Sequence, residues 1–300
     1  MKKEFSDIWI HDDEQLENLF NVKIITREKL SHWPLSFVEK VTLINKTQYI
    51  YKSQHSAASV EKEFYTKNKT PFLPPLIYSG VYENCDIMIM PYLDYPPQSN
   101  VSEPELEQII LDISGIIQGF SDMPVFFDIS SVDRLARLVE TVCAGFIAGG
   151  DSGGGGESGD DIETGSGGDN TNSRNGGHNG FSGNIDILKK WITEKAYVCY
   201  DSRQIGYVHG DLTAANILTD NGKMRYILDW QRPMVAPVML ECALAFRLAG
   251  YDAGKKYSEF GLLATICHFI WYAYAYKKFI RYEFIYNHAK KLLSEFITSL

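Results

Sequence analysis

The stretch "YVHGDLTAANILTDNGKMRYILDW", residues 207–230, gathers Asp211, Asn216 and Asp229 around one short hairpin, with His209 two residues before the first acid. "NILTD" and "MRYILD" read as strands. Asn221-Gly222 between them is the strongest short hairpin signal, because a type I′ turn needs positive φ at both central positions. A turn centred on 221–222 sets Asn216 opposite Tyr226 or Ile227, with Asp229 two or three residues further on, so both lie at the open end of the hairpin. Asp211 arrives on the incoming loop. Acceptors crowded in this way repel unless a cation or a proton donor sits among them. Converging hard oxygen ligands suit Mg²⁺, which is held by one or two carboxylates plus substrate phosphates.

Taken singly, these pieces are ordinary: an Asn-Gly hairpin flanked by acids is usually a polar turn, and a lone histidine usually a satisfied core or loop residue. Their joint spacing is H-x-D-x-x-x-x-N followed by an aspartate thirteen residues later, the arrangement with which kinases set a catalytic acid and two metal ligands. "HGDLTAANIL" followed by "ILDWQ" resembles the aminoglycoside phosphotransferase/choline kinase-like branch of the protein-kinase-like fold. Gly210 and Trp230 distinguish it from eukaryotic protein kinases, which carry Arg between the His and Asp and Phe-Gly after the metal Asp. The resemblance is specific over about 205–250 and extends over 22–94. It implies an α+β, bilobal fold, with a small β-rich nucleotide lobe holding one helix (1–91) and a larger, mostly helical lobe (92–300). It further implies ATP and Mg²⁺ as cofactors and a small-molecule hydroxyl as acceptor. Asp211 would orient or deprotonate that hydroxyl, Asn216 and Asp229 would hold Mg²⁺ on the nucleotide phosphates, and His209 would brace the loop.

Upstream, "VKIIT", "KVTLI" and "TQYIYK" read as strands, followed by a helix over "SAASVEKEFYTKN" and further strands over "LIYSGVY" and "DIMIM". Lys52 closes the third strand, where the resemblance expects a phosphate-binding lysine. Its acid partner is Glu61, with Glu63 as the alternative; "EKEFY" resembles the E-x-x-F-Y run of some relatives. "IMIMPYLD" reads as the last strand running into a hinge, whose backbone near Pro91, Tyr92 and Leu93 would meet adenine while Met90 lines the pocket. Two departures stand out. No glycine precedes Gly80, so there is no glycine-rich phosphate loop; "EKLSHWPLSFVEK" takes its place, and Ser36 is its candidate phosphate contact. After "DWQRP", where relatives commonly show Gly-Pro and then Asp-Leu-Ala, this chain has Ala236-Pro237 and "LECALA", putting Glu241 in the acid's place.

The rest of the chain bounds the reading. It has 300 residues, 45% of them hydrophobic, which suits one large domain or two lobes. A net charge of −9 with no basic stripe argues against nucleic acid as a partner. The window 149–184 holds 14 of the 24 glycines, and its six acids against one arginine carry more than half of that net charge. It has too few apolar residues to offset its ordering entropy and is expected to be a disordered insertion. Ser102, Pro104 and Glu105 predict a capped helix through about Phe120; others follow at about Val132–Ile147 and Ile185–Cys199, with at least two over 236–300. Cys85, Cys143, Cys199, Cys242 and Cys267 show no metal spacing and suit a reducing compartment. The start lacks a signal-peptide apolar region, and the longest charge-free run, Phe260–Tyr276, falls short of a bilayer span, so a cytoplasmic protein off the membrane is expected. Two other readings remain open: a catalytically silent nucleotide-binding or interaction module on the same fold, motivated by the missing glycines, and a protein kinase, opposed by Trp230-Gln231 and by the lack of a closing Ala-Pro-Glu.

Overall fold

The computed structural model describes residues 8–98, 102–120, 122–150, 176–201, 204–221, 223–279 and 282–300. The chain divides into two compact units, Met1–Ser131 with Cys199–Ala264 and Val132–Val198 with Thr265–Leu300. Its class is α+β, as expected. The junction expected at 91/92 lies inside the first unit, and residues 151–175 of the expected insertion lie outside the described residues.

The first unit opens with α1 (Asp13–Phe20), whose Asp12 cap and Gln15 form a reciprocal capping box. Five strands follow: β1 (Ile24–Trp33), β2 (Ser36–Leu43), β3 (Gln48–His55), then, after α2 (Glu61–Lys67), β4 (Tyr78–Tyr82) and β5 (Cys85–Pro91). They form one antiparallel sheet in the order β1-β2-β3-β5-β4. Strand periodicity sorts its two faces. Phe37, Val41, Tyr51, Ile87 and Ile89 pack with Leu16 in a core on one side. Their neighbours Val38, Ile50, Lys52 and Met90 line a cavity on the other.

Three of these elements differ from expectation. β1 runs on through "REKLSHW" because it is an edge strand with both faces largely exposed; such a strand carries charge and shows no apolar alternation. It meets β2 through the two-residue turn Pro34-Leu35, with Trp33 paired to Ser36. Lys52 does not close β3, since Ser53, Gln54 and His55 continue the ladder against Ile87, Asp86 and Cys85. The helix expected over 56–68 is broken: a 3-10 turn spans Ser56–Ala58, and α2 starts only after Val60, whose N–H is taken by Gln231 O at 3.1 Å.

Ser102 and Glu105 form the expected capping box of α3 (Glu103–Ile117). β6 (Phe127–Asp128) ends this part of the unit. The chain then passes through α4 (Val132–Gly150), α5 (Gly176–Glu194) and α6 (Tyr197–Tyr200). Back in the first unit, β7 (Ile205–Val208), the hairpin β8 (Ile217–Asp220) and β9 (Lys223–Ile227), and β10 (Met234–Pro237) precede α7 (Leu240–Leu248) and α8 (Ala253–Tyr257). β10 lies between β6 and β7 in a three-stranded sheet, which fixes both ends of the segment 209–233.

The second unit consists of α4, α5, the C-terminal part of α9 (Glu259–Lys278) and α10 (Glu283–Thr298). α5 starts at Gly176, nine residues earlier than the spacing predicts. Phe146 sits among Phe269, Tyr276 and Tyr286, and Trp191 meets Phe296 edge-on. Trp271 and Tyr276 are buried core residues here. All five cysteines are buried, and none forms a disulfide among the described residues. Among the described residues, no helix is long and apolar enough to cross a membrane.

Candidate active site

The hairpin β8–β9 closes at Asp220 and Lys223, with Asn221 at φ +49°; Gly222 lies outside the described residues. Its register shifts between Leu218 and Thr219, and that irregularity moves the open end. Ile217 pairs with Ile227, and Leu228 donates its N–H to Asn216 O at 2.8 Å. Asn216 therefore stands opposite Leu228, one or two positions beyond the predicted partner, and Asp229 follows at once. Asp229 has φ +67°, a left-handed conformation uncommon for a residue with a side chain. Strain of this kind persists only where surrounding contacts enforce it. Here they are side-chain contacts to its carboxylate.

Lys52 supplies the strongest of them. Its Nζ lies 2.6 Å from Asp229 Oδ1 and 2.5 Å from Glu61 Oε2. Glu61 is 1% exposed, whereas Glu63 is exposed and pairs with Lys67 one turn along α2 at 2.6 Å. Of the two acids considered, the structure thus brings Glu61 to Lys52. Burial alone would depress the lysine's pKa, but the charges of Asp229 and Glu61 outweigh it and hold the ammonium above its ordinary value. One cation between two carboxylates cannot satisfy both equally. Burial raises the Glu61 carboxyl to about 7 against the pull of Lys52. For Asp229 burial acts upward too, but Lys52 and then Arg232 carry its pKa below the usual carboxylate value.

The loop between β7 and β8 carries His209, Gly210 and Asp211. His209 is fully buried; its Nε2 donates to Leu228 O at 2.9 Å, and its Nδ1 accepts from the Asp211 N–H at 3.3 Å. A ring with one donating and one accepting nitrogen is neutral, in accord with a pKa that burial lowers despite the nearby Asp211. The ring sits against Trp230, also fully buried, which stacks on Phe64 of α2 with centroids 4.2 Å apart. Gly210 adopts φ +83°, and a Cβ there would lie 2.8 Å from Arg232 O, so any side chain is refused twice over.

Glu241, on the first turn of α7 and 1% exposed, accepts the backbone N–H groups of both His209 and Gly210. Burial pushes its carboxyl up to about 7, although those two donors favour the charged form. The acid expected in "LECALA" thus braces the backbone of the loop.

Three contacts in this region were not anticipated from the sequence. Arg232 Nη2 donates to Asp211 Oδ2 at 2.7 Å, Gln231 Nε2 donates to Asp229 Oδ1 at 2.8 Å, and Asn216 Nδ2 donates to Asp211 O at 2.8 Å. The first two residues follow directly in "DWQRP". Two long donor side chains one tryptophan after an acid were the available signal.

One cavity of about 530 Å³ collects most of the predicted residues: Lys52, Glu61, Met90, Tyr92, Leu93, Asn216 and Asp229. This is within the usual range for a small-molecule site. Ser31 and Ser36 line it from the β1–β2 hairpin. Asp211 and the buried His209 are not among its lining residues; Asp211 is tied to the cavity through Asn216. Where the hinge was expected, Pro91 has no N–H and Tyr92 donates its own to Gln48 O at 2.9 Å.

The donor set fits Mg²⁺. Among the described residues no three His, Cys, Asp or Glu side chains could together hold a metal, so a cation here needs ligands from a bound partner as well. Asp229 Oδ2 accepts no hydrogen bond among the described residues, and Asn216, with its nitrogen turned to Asp211, keeps its carbonyl oxygen for another partner. A carboxylate and an amide oxygen, completed by phosphate oxygens, are what this hard cation takes.

Comparison with known proteins places this geometry. The phosphotransferase enzyme family model matches residues 184–262, which include the loop carrying His209 and Asp211 and the hairpin after it. A sequence comparison with curated proteins gives no match. A thermostable mutant of aminoglycoside phosphotransferase APH(4)-Ia superposes with a TM-score of 0.60 at 12% identity, covering 96% of this chain and 99% of that one. An ethanolamine kinase from Plasmodium vivax gives a TM-score of 0.54 at 13% identity, with 95% and 85% covered. APH(2″)-IIa, solved as a ternary complex with streptomycin and ATP, gives 0.55 at 13% identity, with 97% of each chain covered. The resemblance read from "HGDLTAANIL" and "ILDWQ" is borne out, and the fold is the one these phosphotransferases share.

Proposed function

We propose that the chain is a small-molecule kinase that transfers the γ-phosphoryl group of ATP directly to a hydroxyl of a small metabolite or an aminoglycoside-like compound. One observation carries this reading. Lys52 bridges Glu61 and Asp229 inside a cavity that also contains the hinge residues and Asn216, with Asp211 one hydrogen bond away. A purely structural cavity has no need of that set.

In this reading adenine lies against Met90, Tyr92 and Leu93, and Lys52 meets the phosphates while Glu61 holds the lysine in place. Asn216 and Asp229 would hold Mg²⁺, which supplies charge neutralisation on the phosphate oxygens. Asp211 orients the acceptor hydroxyl and takes its proton as the acceptor oxygen bonds to the γ-phosphorus and the bridge to the β-phosphate breaks, releasing ADP. Most of the rate gain would be positioning and electrostatics, since phosphoryl transfer asks little covalent help of the protein. Residues 1–91 would serve the nucleotide, and the five buried cysteines, none of them in a disulfide among the described residues, suit a reducing, cytoplasmic setting.

The test is ADP release from Mg·ATP across a panel of aminoglycosides, sugars, amino alcohols and hydroxy amino acids. Mg²⁺-dependent nucleotide binding together with acceptor-dependent ADP release supports the kinase. The glycine-free turn at Pro34-Leu35 motivates the other reading, a silent nucleotide-binding module. Metal-dependent binding without ADP release from any acceptor would favour that module, and no nucleotide binding at all would refute both.

A further inference from the structure

We propose that Gln231 and Arg232 act as a positioning pair, each holding one oxygen of one acid so that only the other oxygen faces the reaction. The inference rests on the kinase reading of the site. Its basis is an asymmetry common to both carboxylates. Asp229 takes Lys52 and Gln231 on the same atom, Oδ1, while Oδ2 accepts nothing among the described residues. Asp211 takes Arg232 on Oδ2, and Oδ1 accepts nothing among the described residues. A carboxylate free to turn offers either oxygen over a range of directions. One held by a donor on a rigid segment offers a single oxygen in a single direction, and misplacement by about 1 Å can cost ~100-fold in rate.

The segment that carries the two donors is rigid by construction. Gln231 O accepts the Val60 N–H at 3.1 Å, which ties it to the start of α2. Arg232 O packs against Gly210 so closely that no Cβ fits between them. Pro233 O accepts the Phe126 N–H at 2.7 Å, and the next residue enters β10 between two other strands. Two adjacent side chains on this fixed backbone then reach two different acids. Gln231 acts toward the metal-nucleotide side, because it orients Asp229. Arg232 acts toward the acceptor, because it orients Asp211. Being charged, it also keeps the second oxygen of that acid occupied while the first takes the proton.

The two roles predict opposite failures in adjacent residues. Calorimetric titration of the full chain with ADP at increasing Mg²⁺, which needs neither acceptor nor turnover, reads the first role. Gln231→Ala should raise the Mg²⁺ needed for ADP binding about 10-fold, as loss of an outer partner of a metal ligand does, and Arg232→Ala should leave it within about 2-fold. ADP release from saturating Mg·ATP, with water or the best acceptor of the panel, reads the second. Arg232→Ala should lose about 100-fold in kcat with KM for ATP little changed. Added guanidinium should restore part of that loss, and Arg232→Lys should be intermediate, since lysine lacks the planar fork. Equal shifts in Mg²⁺ dependence for the two alanine variants would overturn the proposal, as would a wild-type kcat in Arg232→Ala. A merely structural role would move both readouts together and show no guanidinium rescue. Wild-type protein that binds no Mg·ADP would instead remove the kinase reading itself.

Discussion

Two hairpins of the first unit face the same cavity, yet they are built by different means. β8–β9 brings Leu218 to it, with Asn216 just before and Asp229 just after; β1–β2 brings Leu30, Ser31, Ser36 and Val38. At the open end of β8–β9, Asp211, Asn216 and Asp229 each have a named partner, down to the atom that is used. β1–β2 meets the cavity only with uncharged side chains, its ion pairs Arg27–Glu39 and Lys40–Glu28 lying outside the lining; its edge strand is largely exposed and it closes through Pro34-Leu35 without a glycine. Where charges are buried, one missing partner costs several kcal/mol, so side-chain identity is fixed. Where a strand merely covers the cavity, most side chains keep the ladder intact.

The contrast can be broken most sharply at its charged end. Asp211→Ala should lower kcat by about 10³-fold or more, on the scale of a lost general base. Asp229→Ala should be as severe, and it should leave the protein folded because Lys52 then still has Glu61 at 2.5 Å. Near-wild-type turnover in either variant would sink the assignment. Lys52→Met leaves the buried Glu61 without its cation and Asp229 with Gln231 alone, and should cost roughly 3–5 kcal/mol in urea unfolding. Adding Glu61→Met should recover most of that stability and none of the turnover. If the double variant is no more stable than the single one, the pair does not work as drawn.

Glu241 sharpens the comparison through pH. Its carboxyl is held near 7 in the folded protein, by burial, against about 4.5 in the unfolded chain. The folded state therefore binds the extra proton between those values, and this group's contribution to stability is lost as pH rises through that window. Stability of the wild type relative to Glu241→Gln should fall by roughly 1–3 kcal/mol from pH 4.5 to 7. A constant difference across the window would contradict the buried, loop-bracing role. The smallest effect belongs to the other hairpin. Ser36→Ala removes at most one hydroxyl hydrogen bond to a phosphate and should raise KM for ATP no more than about 10-fold. A loss of 100-fold would mean that the β1–β2 turn binds phosphate as specifically as a glycine-rich loop.

Much of this site was legible in the chain because its signals are local. Asn221 marked the hairpin through its backbone preference, and the short intervals from His209 to Asp211 and Asn216 lie within one loop. Ser102 and Glu105 announced a helix start for the same reason. The misjudged elements were those whose signal is not local. β1 looked too short because an edge strand needs no apolar alternation. β3 ran past Lys52 because its partner β5, far along the chain, continued to pair with it. The hairpin register slipped at Leu218 through an irregularity that alternation does not announce.

The sequence by itself determined which residue types could carry a phosphoryl transfer, and it placed Asp211, Asn216 and Asp229 in one loop and hairpin. Tertiary structure alone decided what each group touches. Glu61 and Glu63 are two positions apart on a helix and so face different ways; only the docking of α2 on the sheet, against β5, turns the first toward Lys52. Lys52 meets Asp229 across 177 residues, and Arg232 meets Asp211 across 21. Contacts of that kind follow from how sheet, loop and helix pack, because a charge finds its partner by distance in space and burial then sets what the pair is worth.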